Sequence, residues 1–290
     1  MRWFSMASLE AGVLSFDELA LLAAKQTLVL DASNAESYIH RNIPSLWTAF
    51  RSRCDRQSKR GVFPVAKVVD ESGRKFISTV YDVLQWKSKR WRRVSGRLAY
   101  RPHILRMVED LTDREYEALC CLACKLRGGA KIHLTPAGNE GGIDFVALLG
   151  ASGGQAGFSA LSTFRVIGQV KKYNKRVPVG DVRDFNDTLA DVRRLAPPIK
   201  NHLPKWFQDT HAPIVGCMVG HNGFQSGSES KAKTNGIMLL DSVDLAEALA
   251  FSPSLGNCES PDVVAPKLLM GLHEIKRSYS KSQDADDVPC

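Results

Sequence analysis

Short apolar runs mark several strands from residue 143 onward. Two runs, Ile143 to Leu149 and Phe164 to Val170, flank a segment rich in Gly, Ser and Ala, and this arrangement predicts an antiparallel hairpin. A continuous apolar run from Pro213 to Val219 predicts a strand buried on both faces. Met238 to Leu240 predicts a further strand.

Apolar residues at helical spacing accompany these strands. The segment from Thr112 to Glu115 fits a capping box, and the apolar stripe that follows predicts a helix from about Asp113 to Leu126. Similar spacing predicts helices from Val179 to Leu195 and from Val243 to Ala250.

The first 106 residues give a weaker pattern. Helices are predicted from Phe16 to Leu30 and from Ser45 to Arg53. Two strands, Val62 to Val69 and Lys75 to Val80, follow and are joined by a turn. Helices followed by a hairpin would suit a winged-helix DNA-binding domain, and a structural or partner-docking domain would show the same pattern.

The pattern changes again towards the C-terminus. Beyond about Ser252 the apolar periodicity is lost, and the segment from Lys276 to Cys290 is expected to be a flexible tail. We therefore predict a DNA-binding or partner-docking domain at 1–106, a central domain at 107–252, and a C-terminal extension with a flexible tail at 253–290.

Charge points to an anionic partner. The 290-residue chain carries a net charge of +8 and has a pI near 9.1. The excess is concentrated between Trp86 and Arg106, where Trp86 and Trp91 interleave with the cations Lys87, Lys89, Arg90, Arg92, Arg93, Arg97, Arg101 and Arg106. Cations interleaved with tryptophan are typical of phosphate contacts supplemented by stacking, although basic runs are often solvated faces. We interpret Lys87, Lys89, Arg90, Trp91, Arg92, Arg93 and Arg97 as DNA-binding residues.

Cysteine usage favours a reducing compartment. The chain has seven cysteines, an odd count, and no secretory signal is evident, so a cytoplasmic protein is expected. Cys120 and Cys124 share one face of the predicted helix, where core packing is favoured over zinc binding. No apolar stretch is long enough to span a membrane, so no membrane association is expected.

The predicted hairpin brings chemically active residues to one edge of the sheet. Asp144 begins the first strand, and Gln169 and Lys171 end the second, with their side chains on the same face. Asp144, the Gln169 amide and the Val170 backbone carbonyl are oxygen ligands of the kind that Mg²⁺ takes. Lys171 would orient the attacking water and offset charge on a phosphate, so the set predicts metal-dependent phosphodiester cleavage. Taken singly, Asp144 could be a turn residue and Lys171 a solvated strand end.

Glu117 lies in the first turns of the helix that starts at Asp113. It is either an ordinary surface carboxylate or, if the helix packs under the hairpin, a metal ligand that acts directly or through water.

The chain resembles the Mrr-type restriction endonucleases, a branch of the PD-(D/E)xK nuclease superfamily, over roughly Leu111 to Ala250. The resemblance rests on Tyr116-Glu117, Gly141-Gly142-Ile143-Asp144, Gln169-Val170-Lys171-Lys172-Tyr173, the segment from Val179 to Phe185, Gly223-Phe224, and the segment from Gly236 to Asp241 with Leu245-Ala246. It implies an α/β fold whose mixed central sheet is flanked by helices, preceded here by a mainly helical or winged-helix-like domain.

The same resemblance implies Mg²⁺-dependent DNA cleavage in restriction or phage defence, with Mn²⁺ as a substitute ion. Catalytic roles would fall to Glu117, Asp144, Gln169 and Lys171, while Lys172 would point away from the site and contact DNA. A homo-oligomer is expected, and any ATPase function would come from a separate subunit because the chain has no nucleotide-binding Gly-x-x-x-x-Gly-Lys signature.

Two departures from the family pattern stand out. The segment from Ala196 to His211 is a long insertion that touches DNA or a partner, or caps the sheet. His221 follows the buried strand where many relatives have threonine, and a capping or surface role is favoured for it.

Two other functions fit the same residues. One is a nuclease-fold DNA-binding or scaffold subunit that cleaves only within a larger defence complex, or not at all. The other is cleavage of RNA or branched DNA, because the site residues act on phosphate and not on bases.

Overall fold

The computed structural model describes residues 12–27, 31–59, 61, 63–84, 88–136, 141–150, 163–255 and 260–286. Lys87, Trp86, most of the segment between the two hairpin strands and the last four residues lie outside this set. The chain divides into two compact units, Met1–Arg106 and Met107–Cys290.

The first unit is mainly helical. Its helices are α1 (Phe16–Thr27), α2 (Ala32–Lys59), α3 (Thr79–Leu84), α4 (Lys89–Leu98) and the start of α5 (Tyr100–Asp110). A small antiparallel sheet has the order β1 (Val13–Ser15), β3 (Lys75–Ser78) and β2 (Ala66–Asp70). The predicted turn between two strands is therefore present, and the winged-helix interpretation stays a prediction.

The second unit is built on a five-stranded mixed sheet. The strands are β4 (Gly129–Leu134), β5 (Phe145–Gly150), β6 (Thr163–Lys171), β7 (Ile214–Gly220) and β8 (Met238–Asp241), and they lie in this order. Strands β4, β5 and β6 pair antiparallel, whereas β7 and β8 add in parallel. The predicted α/β fold with a mixed central sheet is confirmed.

Helices cover both faces of this sheet. They are α6 (Asp113–Leu126), α7 (Val179–Arg194), α8 (Pro197–Lys200), α9 (Lys205–Asp209), α10 (Ser226–Asn235), α11 (Ser242–Ala250) and α12 (Val264–Asp286). Consecutive residues of β5, Phe145 and Val146, point to opposite faces, and both are buried. Phe185 and Leu189 of α7 pack in the cluster that contains Val146, and α6 packs along β4, β5 and β6.

The insertion after α7 packs on the sheet. Phe207 is fully buried and Trp206 packs against the same apolar cluster. These two aromatic side chains therefore act in the core, which favours the capping alternative for this segment.

The expected loss of apolar periodicity beyond about Ser252 is wrong for residues 264–275, whereas the flexible tail expected from Lys276 onward stays a prediction. Residues 264–286 form α12, and Val264, Leu268, Leu272 and Ile275 are buried along one side of it. Lys276 Nζ lies 3.2 Å from Glu115 Oε1 in the capping box of α6. The helix is thus docked on the second unit, because its apolar residues recur every three or four positions.

Candidate active site

The site forms where β5 begins and β6 ends. Gly141 and Gly142 adopt φ values of 67° and 78°, which side-chain-bearing residues rarely adopt. A Cβ atom on Gly142 would lie 2.7 Å from Nε2 of Gln169. The Gly-Gly turn is therefore required both by its backbone conformation and by its close approach to Gln169.

Asp144 is fixed by hydrogen bonds to β6. Its backbone N–H donates to the Gly168 carbonyl at 2.9 Å, and its Oδ2 accepts the Val170 N–H at 2.5 Å. Since the N–H and C=O of one strand residue point to the same side, the Val170 carbonyl is directed towards the edge that carries Asp144. The opposite side is taken by Lys171, whose carbonyl accepts the His221 N–H at 2.9 Å.

The environment of Asp144 disfavours its charged form. Burial is the largest of the causes that together raise the pKa of the carboxyl group to about 7. The negative charge of Glu117 also raises this pKa, and the Val170 N–H bond lowers it. Lys171 and Arg114 lower the pKa by smaller amounts. Glu117, Lys171 and Arg114 therefore lie close enough to act electrostatically on the carboxyl group of Asp144.

Gln169 carries an amide oxygen that no residue in the described part of the chain hydrogen-bonds. Its side chain is buried, and no described residue donates a hydrogen bond to Oε1. A buried polar atom without a partner is costly unless water or an ion satisfies it. The half-buried carboxylates and this oxygen together fit a divalent cation, for which hard oxygen ligands are preferred.

The described residues contain no group of three or more His, Cys, Asp or Glu side chains at metal-binding spacing. The ligand set predicted here has two acids, an amide oxygen and a backbone carbonyl, so it does not need such a group. The three helix cysteines Cys120, Cys121 and Cys124 have raised pKa values because they are buried, as expected for packing residues.

Lys171 and Lys172 differ in their surroundings. Lys171 Nζ lies 5.9 Å from the ring centroid of Tyr173, which is exposed. Lys172 Nζ donates to the carbonyls of Glu109, at 3.0 Å, and Leu111. The ammonium group of Lys172 therefore binds backbone in this structure, a structural contact that the DNA-binding interpretation did not foresee.

His221 is buried in a polar network behind the site, which corrects the expectation of a surface position. Its Nδ1 lies 2.9 Å from Ser242 Oγ, which also contacts the Tyr116 hydroxyl at 2.8 Å. Its Nε2 lies 3.6 Å from Glu109 Oε2. The network thus joins Tyr116, which precedes Glu117, to His221, whose N–H donates to the Lys171 carbonyl.

The basic segment lies in the first unit, mainly on α4. Lys89 and the arginine triplet, Arg90, Arg92 and Arg93, are exposed, whereas Arg97 is half-buried. Trp91 makes an edge contact with Phe63 at 6.3 Å between ring centroids, so part of its ring packs within its own unit. Arg101 is buried and donates to the Phe63 carbonyl at 2.7 Å, so its guanidinium group binds backbone within its own unit.

Sequence reasoning missed two residues beside the acids, Arg114 and Thr135. Arg114 contacts Glu117 and the carbonyl of Thr135. The spacing of three residues between Arg114 and Glu117 on a helix was the available signal. Nothing in the sequence indicated Thr135.

Comparison with known proteins relates part of the chain to restriction endonucleases. A restriction-endonuclease family model, Mrr_cat, matches residues 108–196. The structure is similar to that of the MspJI restriction endonuclease in complex with a 27-mer oligonucleotide, with a TM-score of 0.35 and 13% identity, covering 71% of this chain and 40% of that chain. It is also similar to the DNA modification-dependent restriction endonuclease AspBHI, with a TM-score of 0.35 and 16% identity, covering 73% of this chain and 46% of that chain.

This chain thus spans less than half of the length of either solved structure. No curated protein matches it. No helix in the described part of the chain is long and apolar enough to cross a membrane. The resemblance predicted from the motifs is confirmed over residues 108–196, which match the Mrr_cat restriction-endonuclease family model.

Proposed function

We propose that the protein is a Mg²⁺-dependent DNA endonuclease that acts in restriction or phage defence. The observation that carries the proposal is the placement of the Asp144 carboxylate on the Val170 N–H, within the electrostatic reach of Glu117 and Lys171. Two acids and a cation near one another are the groups that metal-assisted hydrolysis of a phosphodiester uses.

Four groups would hold the ion: the carboxylates of Asp144 and Glu117, the Gln169 Oε1 atom and the Val170 carbonyl. When bound, Mg²⁺ would polarise the phosphate and lower the pKa of a bound water. The raised pKa of Asp144 supports this assignment. Burial and the neighbouring charge of Glu117 make the ionised carboxylate unfavourable, and a bound cation would stabilise it.

Lys171 is the cationic group of the proposed mechanism. Its ammonium group would orient the attacking water and offset the negative charge that develops on the phosphate. In-line attack by water would leave a 5′-phosphate, as the family resemblance implies. The exposed arginine triplet of α4 supplies cations that suit the DNA backbone and carry no base specificity.

A substrate panel tests the proposal. Purified protein is incubated in Mg²⁺ with unmodified plasmid, methylated plasmid, branched DNA and RNA, with Asp144→Ala as the control. Cleavage of a DNA substrate by the wild type alone supports a DNA endonuclease. DNA binding without cleavage of any substrate would instead support the DNA-binding or scaffold subunit, and cleavage of RNA alone would change the substrate class.

A further inference from the structure

Arg114 contacts the candidate catalytic acid Glu117 directly. The two residues lie one turn apart on α6, and Arg114 Nη1 is 2.7 Å from Glu117 Oε2. Their side chains are 25% and 19% exposed, so the pair is more restrained and less screened by salt than an exposed ion pair. The carboxylate of Glu117 is therefore held in one orientation.

The same guanidinium group reaches the other side of the site. Its Nη2 donates to the carbonyl of Thr135, the residue that follows β4. Thr135 is completely buried, its N–H donates to the Asp144 carbonyl at 3.1 Å, and its hydroxyl donates to the Ile143 carbonyl at 2.5 Å. Arg114 and Thr135 thus form a continuous link between Glu117 on the helix and the segment that carries Asp144.

We propose that Arg114 is a positioning residue of the nuclease site, which fixes Glu117 relative to Asp144 through Thr135. This inference rests on the proposed function, since it assigns Glu117 a part in the site. The planar fork of an arginine places two nitrogens at a fixed separation, one on the carboxylate and one on the carbonyl, whereas a lysine has a single nitrogen for both acceptors. An arginine is required here for geometry, and not only for charge.

The charge-conserving variant Arg114→Lys tests this requirement. The variant keeps the positive charge beside the acids and removes the guanidinium fork. A loss of cleavage rate or of Mn²⁺ affinity therefore reports on the orientation of Glu117. We expect the single-turnover rate of plasmid cleavage in saturating Mg²⁺ to fall about tenfold or more, because small displacements of catalytic groups are costly. We also expect the affinity for Mn²⁺, measured by calorimetry without DNA, to fall about tenfold.

A double-mutant cycle with Glu117→Gln shows whether Arg114 acts through Glu117. In the Glu117→Gln background, Arg114→Lys should cause no further loss of rate or of Mn²⁺ affinity. Lys125→Met is the matched control: it removes a cation from an exposed position of the same helix and should leave both quantities unchanged. Thermal melts check that each variant is folded.

Three results would overturn the inference: full rate and full Mn²⁺ affinity in Arg114→Lys, additive losses in the double variant, or no effect of Glu117→Gln. If the wild type binds Mn²⁺ but cleaves no nucleic acid, the proposed function fails, and the Mn²⁺ cycle still decides the role of Arg114. If Arg114→Lys is unstable, Arg114→Gln replaces it in the double-mutant cycle with Glu117→Gln. The same results then support or overturn the inference.

Discussion

Replacing Asp144 by Asn is expected to stabilise the protein above pH 7 while it abolishes cleavage. Burial raises the pKa of Asp144 from its ordinary value of 3.8 to about 7. Between these two values the folded protein holds a proton that the unfolded chain has released. The free energy of unfolding of the wild type therefore falls as the pH rises through this window, and it levels off above pH 7.

The magnitude follows from the size of the pKa change. A difference of about 3 pH units at about 1.36 kcal/mol each gives an upper value of about 4 kcal/mol. The Asn side chain has the same shape, carries no charge, and its amide oxygen can accept the Val170 N–H bond that Asp144 accepts now. The substitution thus removes the cost of the buried charge without leaving a cavity and without removing the acceptor of the Val170 N–H.

Urea unfolding in the presence of a chelator measures this effect. The stability advantage of Asp144→Asn over the wild type should grow by about 2.5 kcal/mol between pH 5 and pH 8. Asp187→Asn, at an exposed position, should change stability by no more than about 0.5 kcal/mol at either pH. A difference between Asp144→Asn and the wild type that does not change with pH would refute the reasoning. Addition of Mg²⁺ at pH 8 should then stabilise the wild type and not the variant.

Three further predictions concern neighbouring features. Lys171→Met should lose single-turnover cleavage with little change in the free energy of unfolding. Lys172→Met should instead lower the free energy of unfolding by about 1–3 kcal/mol and leave the salt dependence of DNA binding unchanged. Equal behaviour of the two variants would contradict this prediction. Gly142→Ala should lower the free energy of unfolding by about 1–2 kcal/mol and should reduce cleavage because the added methyl group displaces Gln169. A fully active and stable variant would count against this role of Gly142. Replacing the arginine triplet by glutamine should reduce the salt slope of DNA binding by up to about 0.9 for each lost phosphate contact, and an unchanged slope would assign α4 to another role.

The placement of Asp144 opposite the end of β6 could be predicted because it depends on local geometry. Hairpin pairing and the alternation of strand side chains are enough to bring Asp144 opposite the end of β6, and the structure pairs Phe145 with Gly168 as this requires. The helix bearing Glu117 could be read from its capping box, which the structure contains from Thr112 to Glu115.

Other contacts could not be predicted because they join distant parts of the chain. Alternation indicates that Lys172 points away from Lys171, but its partners are the carbonyls of Glu109 and Leu111, more than 60 residues earlier. The bond from Arg114 to Thr135 likewise spans 21 residues. Helix α12 was missed for a different reason. Its apolar residues recur at helical spacing, but the many polar residues between them lower the average hydropathy of the segment and obscure the stripe.

The most direct test of the account is plasmid cleavage by the purified protein as Mg²⁺ is titrated, with Asp144→Ala measured in parallel. We expect cleavage by the wild type that depends on Mg²⁺ and stops in excess chelator, and no cleavage by Asp144→Ala at any Mg²⁺ concentration, although the variant still binds DNA. Cleavage by the wild type in excess chelator, or equal cleavage by Asp144→Ala, would contradict the central claim.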